Sequence, residues 1–86
     1  QNYPNPFNPS TQISFDIPKS EFITLRIFNL LGQDVKTLTS KIMNPGRYTF
    51  EWDGKDLLSN DVASGVYFYE LRGENFISRK KMLLIR

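Results

Sequence analysis

Asp53, Asp56 and Asp61 form the densest set of groups in this chain that could do chemistry. Carboxylates gathered in one loop can ligate a cation, work as an acid–base pair, or cap the turns of the loop itself. The stretch lacks the alternating acidic spacing and the closing bidentate glutamate of a calcium loop. A two-carboxylate glycosidase needs a cleft, which nothing in a small strand-rich chain suggests. Turn capping is therefore the favoured role. The chain holds no cysteine and no histidine, which removes thiolate nucleophiles, imidazole bases, disulfide staples and most zinc sites together. The serines, threonines, lysines and tyrosines that remain show no nucleophile with its base. We expect a non-catalytic module with no cofactor and no metal.

Arg79, Lys80 and Lys81 form the one basic concentration, with Arg86 beyond them, in a chain of net charge +2. A solvated strand face, or a guard against aggregation, accounts for such a run. Nucleic-acid binding would need a broader basic stripe and a recognisable module, so no nucleic-acid partner is expected. A carbohydrate-binding module is a rival reading, because sandwich modules stack sugars on exposed rings. Tyr48, Phe50 and Trp52 share one strand face and point inward, which leaves Phe28 and Phe68 as candidates for an exposed platform.

These residues are positioned by a chain of 86 residues, enough for one domain. Its apolar residues alternate with period two, the mark of half-buried strands. Ile13, Phe15 and Ile17 alternate with polar neighbours, and Ile23, Leu25 and Ile27 repeat the device. Val35 to Leu38 make a short strand; Tyr48, Phe50 and Trp52 line another. Tyr67, Tyr69 and Leu71 face inward on the next. The last stretch, from Asn75 to Arg86, is apolar on both faces near its end; we read it as a strand with a bulge near Arg79 to Lys81. Gly, Pro, Asn and Asp turns separate the strands. The pattern predicts an all-β fold, an immunoglobulin-like antiparallel β-sandwich of about seven strands. Tyr67 is either a tyrosine corner, with its hydroxyl folded back on the chain, or an ordinary core aromatic.

Residues 1–10 stand apart. Pro4, Pro6 and Pro9 fix φ and remove backbone donors, so this segment is a stiff, extended lead-in to a sandwich spanning 11–86. Tyr3 and Phe7 are expected to pin it to the domain, with Phe7 the more buried. The chain opens on Gln1, shows no signal peptide, and reads as a piece of something larger.

The blocks "NYPNPFNPSTQISFDIP", "LRIFNLLGQDVKTL", "GRYTFEWDGKD", "ASGVYFYELR" and "RKKMLLIR" occur in that order. Together they resemble the type A C-terminal sorting domain of proteins exported by the type IX (Por) secretion system, over essentially the whole chain. The most distinctive positions are the opening block and the signature Trp52, Asp53, Gly54, Gly65 and Tyr67. The second of these blocks also looks like the immunoglobulin-like domain of the flagellar hook-capping family, which bears on fold alone. The resemblance implies a sorting label at the C-terminal end of a larger cargo protein in Bacteroidota and related lineages. It implies transit through the periplasm, recognition by the outer-membrane type IX translocation machinery, and delivery to the cell surface or medium. Removal by a sortase-like cysteine protease is also implied. Lys80, Lys81, Met82, Leu83, Leu84 and Ile85 match the family's basic-then-apolar ending and are the expected recognition residues. A terminal strand with free backbone groups suits that role and also permits strand-mediated self-association. A cell-surface attachment module is the nearest alternative function, and a carbohydrate-binding module of a secreted hydrolase the next.

Overall fold

The computed structural model describes residues 10–86; Tyr3 and Phe7, and the packing expected of them, lie outside this range. Six strands follow in order: β1 (Thr11–Ile17), β2 (Glu21–Asn29), β3 (Asp34–Met43), β4 (Gly46–Trp52), β5 (Gly65–Arg72) and β6 (Ile77–Leu84). All pairings are antiparallel. β1 and β4 form a two-stranded sheet, and β3-β2-β5-β6 form a four-stranded one. The fold is the expected small all-β sandwich, with six strands in place of about seven. Residues 53–64 supply no further strand, only an isolated bridge between Lys55 and Asp61, because the Asp53 and Asp56 side chains bind the local backbone instead.

The alternation read from the sequence builds the core. Ile13 and Ile17 of β1, and Ile23, Leu25 and Ile27 of β2, are buried, as are Trp52, Tyr67, Leu71, Met82 and Leu84. Each fully buried side chain of this size contributes about 1.5–3 kcal/mol. Phe15, Tyr48 and Phe50 are only partly buried against this cluster, because a two-stranded sheet cannot roof a four-stranded one completely. The three rings shelter one another: Phe15 stacks on Phe50 with centroids 5.8 Å apart and on Tyr48 at 6.0 Å.

Two local readings are corrected. β3 is longer than the short strand around Val35, and the irregularities lie in its pairing with β2, between Leu25 and Arg26 and between Ile27 and Phe28. Leu38 and Val35 are the residues skipped in that register. A skipped residue lets the strand rotate locally, and Val35 and Thr39 are both buried while Leu38 packs against the core. The bulge expected near Arg79 to Lys81 does not occur: β6 pairs with β5 without interruption from Gly65–Leu84 to Arg72–Ile77.

Candidate recognition site

The connection between β4 and β5 is held by the rings of the signature. Trp52, the last residue of β4, is fully buried, and its Nε1 donates to the Lys55 carbonyl at 2.9 Å. Asp53 accepts from the Lys55 N–H at 3.1 Å, and Asp56 accepts from the N–H groups of Leu58 and Asn60, each at 2.9 Å. Turn capping thus accounts for two of the three aspartates. Among the described residues no group of acidic side chains is placed to hold a metal ion. Tyr67 donates its hydroxyl to the Ala63 carbonyl at 2.6 Å. That is the tyrosine corner, and it decides between the two readings of this residue. Gly65 opens β5 opposite Leu84.

The third aspartate belongs to a latch that the sequence reading did not foresee. Asp61 takes a hydrogen bond from Lys55 Nζ at 2.8 Å and lies 3.6 Å from Arg86 Nη2. The Lys55 hydrogen bond first, then the charges of Lys55 and Arg86, hold its carboxyl below the usual carboxylate value. Arg86 itself donates through Nη2 to the Gly54 carbonyl and through Nε to the Val62 carbonyl, and its backbone N–H reaches Ser64 Oγ at 2.9 Å. Gly54 sits in the left-handed region with φ +74°, and a Cβ there would come within 3.0 Å of Arg86 Nη2 and 3.3 Å of Leu84 Cδ1. Only a glycine meets both conditions without strain. The residues after β6 are therefore tied to both ends of the 53–64 connection. In sequence these groups are separated polar residues, and only the returning chain brings them together.

The expected recognition residues divide by strand parity. Met82 and Leu84 point inward and are 8% and 2% exposed, whereas Leu83 and Ile85 point outward at 61% and 68%. Lys80 and Lys81 are exposed and form no ion pair among the described residues. β6 has β5 on one side and no paired strand on the other among the described residues, so one row of its backbone donors and acceptors is free for another chain.

The outer face of the four-stranded sheet carries matched rows across β2, β5 and β6. Arg26, Glu70 and Arg79 form one row; Phe28, Phe68 and Lys81 form the next. Glu70 is buried, and its oxygens lie 2.8 Å from Arg79 Nε and 3.5 Å from Arg72 Nε. Burial alone would raise the Glu70 carboxyl; the Arg79 hydrogen bond and the charges of Arg72 and Arg79 outweigh it and hold the group below its ordinary value. Phe28 and Phe68, the rings considered as a sugar platform, are half-buried directly opposite each other.

Two antiparallel sheets closed over a Trp–Tyr core, with a tyrosine corner at the start of β5, define the class as a small immunoglobulin-like sandwich. Solved structures of the same shape include FlgD from P. aeruginosa, at 21% identity and TM-score 0.67, covering 87% of this chain and 58% of that one. FlgD from Xanthomonas campestris, described in connection with hook capping in flagellar assembly, matches at 23% identity and TM-score 0.67 over 90% of this chain and 56% of its own. The chain spans a little over half the length of each, and the likeness is one of fold. No curated protein matches. The family model described as the secretion system C-terminal sorting domain matches residues 1–86, and the chain belongs to that family. It is a sorting signal for type IX secretion. Membership favours neither the attachment-module nor the sugar-binding alternative.

Proposed function

We propose that strand β6 and the residues following it are the surface the type IX machinery reads, in a domain that catalyses nothing itself. The observation that carries this reading is the combination at β6, among the described residues, of an unpaired edge with outward-facing Leu83 and Ile85 and unpaired Lys80 and Lys81. An added strand would take its affinity from the backbone groups of that edge and its selectivity from alternate side chains. Met82 and Leu84 then serve recognition indirectly, by holding β6 in register on the core. Residues 1–10 act as the boundary segment between cargo and sorting domain. Passage through the periplasm and trimming by a sortase-like cysteine protease complete the route. The same free edge supports pairing between two copies at high concentration.

The test is a reporter protein fused N-terminally to this chain and expressed in a strain with an active type IX system. Lys80→Glu, Lys81→Glu, Leu83→Asp and Ile85→Asp, combined, are expected to abolish export while circular dichroism shows the fold intact. Undiminished export of a folded quadruple variant would sink the proposal for β6.

A further inference from the structure

A hollow of about 450 Å³ lies on the outer face of the four-stranded sheet, lined among others by Phe28, Leu30, Gly32, Phe68, Arg79 and Lys81. We propose that it binds an acidic peptide segment of a protein partner, seating an aromatic or branched side chain on Phe28 and Phe68 and a neighbouring carboxylate on Lys81. The volume is within the range of sites that enclose a small ligand, and it fits one large side chain with its flanking residue. Its floor is the two half-buried rings paired across β2 and β5. One wall is the turn after β2, where Gly32 at φ +81° has nothing within 4 Å of a Cβ position and leaves the mouth open.

The polar groups around the hollow decide the chemistry of the occupant. Asn29 Oδ1 already accepts from the N–H groups of Leu31 and Gln33, and its Nδ2 donates to Gln33 Oε1 at 2.8 Å. Arg79 Nε is committed to Glu70, and its guanidinium lies 6.0 Å above the Phe28 ring. A neutral sugar would need free amides and hydroxyls, which this wall has spent on its own turn. The uncommitted cationic groups are the Lys81 ammonium and the Arg79 Nη groups, none of which is paired among the described residues. Cations beside an apolar floor complement a carboxylate beside an apolar side chain. The hollow shares Lys80 and Lys81 with the proposed recognition strand but does not rest on that reading, since it is occupied or empty irrespective of export.

The experiment is an amide chemical-shift titration of the isotope-labelled chain with three probes: acetyl-Asp-Phe-Asp-amide, acetyl-Lys-Phe-Lys-amide and a neutral gluco-oligosaccharide. Saturable shifts confined to residues around Phe28, Phe68 and Lys81 are expected with the acidic probe. The lysine probe and the sugar should bind at least about tenfold more weakly, the order expected for one close charge pair. Lys81→Glu, an exposed substitution that leaves the core untouched, should remove the acidic probe's shifts, and Phe68→Leu should weaken them with the fold retained. No saturable shift at millimolar acidic peptide overturns the proposal. So does equal binding of the lysine probe, or binding of the sugar that survives Lys81→Glu.

Discussion

Trp52 and Tyr67 meet edge to face, with ring centroids 5.1 Å apart and planes at 68°. Each ring turns its one polar atom to a carbonyl of the connection between them, Trp52 to Lys55 and Tyr67 to Ala63. The pair therefore fastens a polar connection near both of its ends while its apolar surfaces fill the core. An edge-to-face pair adds about 0.5–1.5 kcal/mol to what burial alone provides.

Tyr67→Phe keeps the ring and deletes the hydroxyl. It leaves the Ala63 carbonyl without its partner and should lower stability by about 1 kcal/mol, the usual net value of a neutral hydrogen bond. Trp52→Ala removes the ring and should cost about 3–5 kcal/mol. Urea unfolding followed by circular dichroism gives both values from the shift in midpoint.

Gly54→Ala places a Cβ in the left-handed region and against Arg86 and Leu84. The backbone penalty alone is about 1–2 kcal/mol. Arg86→Ala releases one of the groups that the new methyl would meet, so the two substitutions should destabilise less together than the sum of their separate effects. A double-mutant cycle in urea reads that coupling directly.

Glu70 makes stability depend on pH in a defined direction. Its carboxyl is held below the ordinary value of 4.5, so the folded state binds its proton less readily than the unfolded chain. Its contribution is complete above that ordinary value and is lost as pH falls through the lower folded value. Thermal melts of the wild type and of Glu70→Gln should therefore converge as the pH falls below the ordinary value and through the lower folded one, where both states take up the proton. A gap that widened on acidification would contradict the assignment.

The inward and outward residues of β6 should separate by stability. Leu84→Ala empties a core position and is expected to cost about 2–5 kcal/mol. Leu83→Ala, on the exposed side, should stay within about 0.5 kcal/mol of the wild type. Denaturant midpoints for the two variants provide the measurement, and they also identify which export defects come from unfolding.

The alternation of Ile13 with Ile17, and of Ile23, Leu25 and Ile27, was legible in the sequence because a half-buried strand repeats with period two. Tyr67 was legible as a candidate corner but not as a settled one, since the Ala63 carbonyl it needs is a backbone atom that composition cannot locate. The fate of Thr37 and Leu38 was hidden, because the irregular pairing of β3 with β2 leaves Thr37 exposed between buried Val35 and Thr39 and packs Leu38 against the core. Glu70 reads as a solvent-facing charge until Arg79 and Arg72 are seen around it. At Leu83 and Leu84 the sequence offers apolar side chains to both faces, and only the pairing of β6 with β5 says which is core. Arg86 carried no local signal, because its partners Gly54, Val62 and Ser64 belong to a distant connection.

The placement of β6 has a consequence for the order in which the domain comes into being. Met82 and Leu84 close the core, and Arg86 binds the connection from Gly54 to Ser64. A nascent chain interrupted before Ile77 lacks all three, and the inner face of β5 stays uncovered along the side where β6 belongs. The sandwich becomes complete only after the ribosome has passed through its final strand, by which time the sequence on the N-terminal side has already been translated. A finished fold is thus a molecular receipt that translation has passed the end of β6.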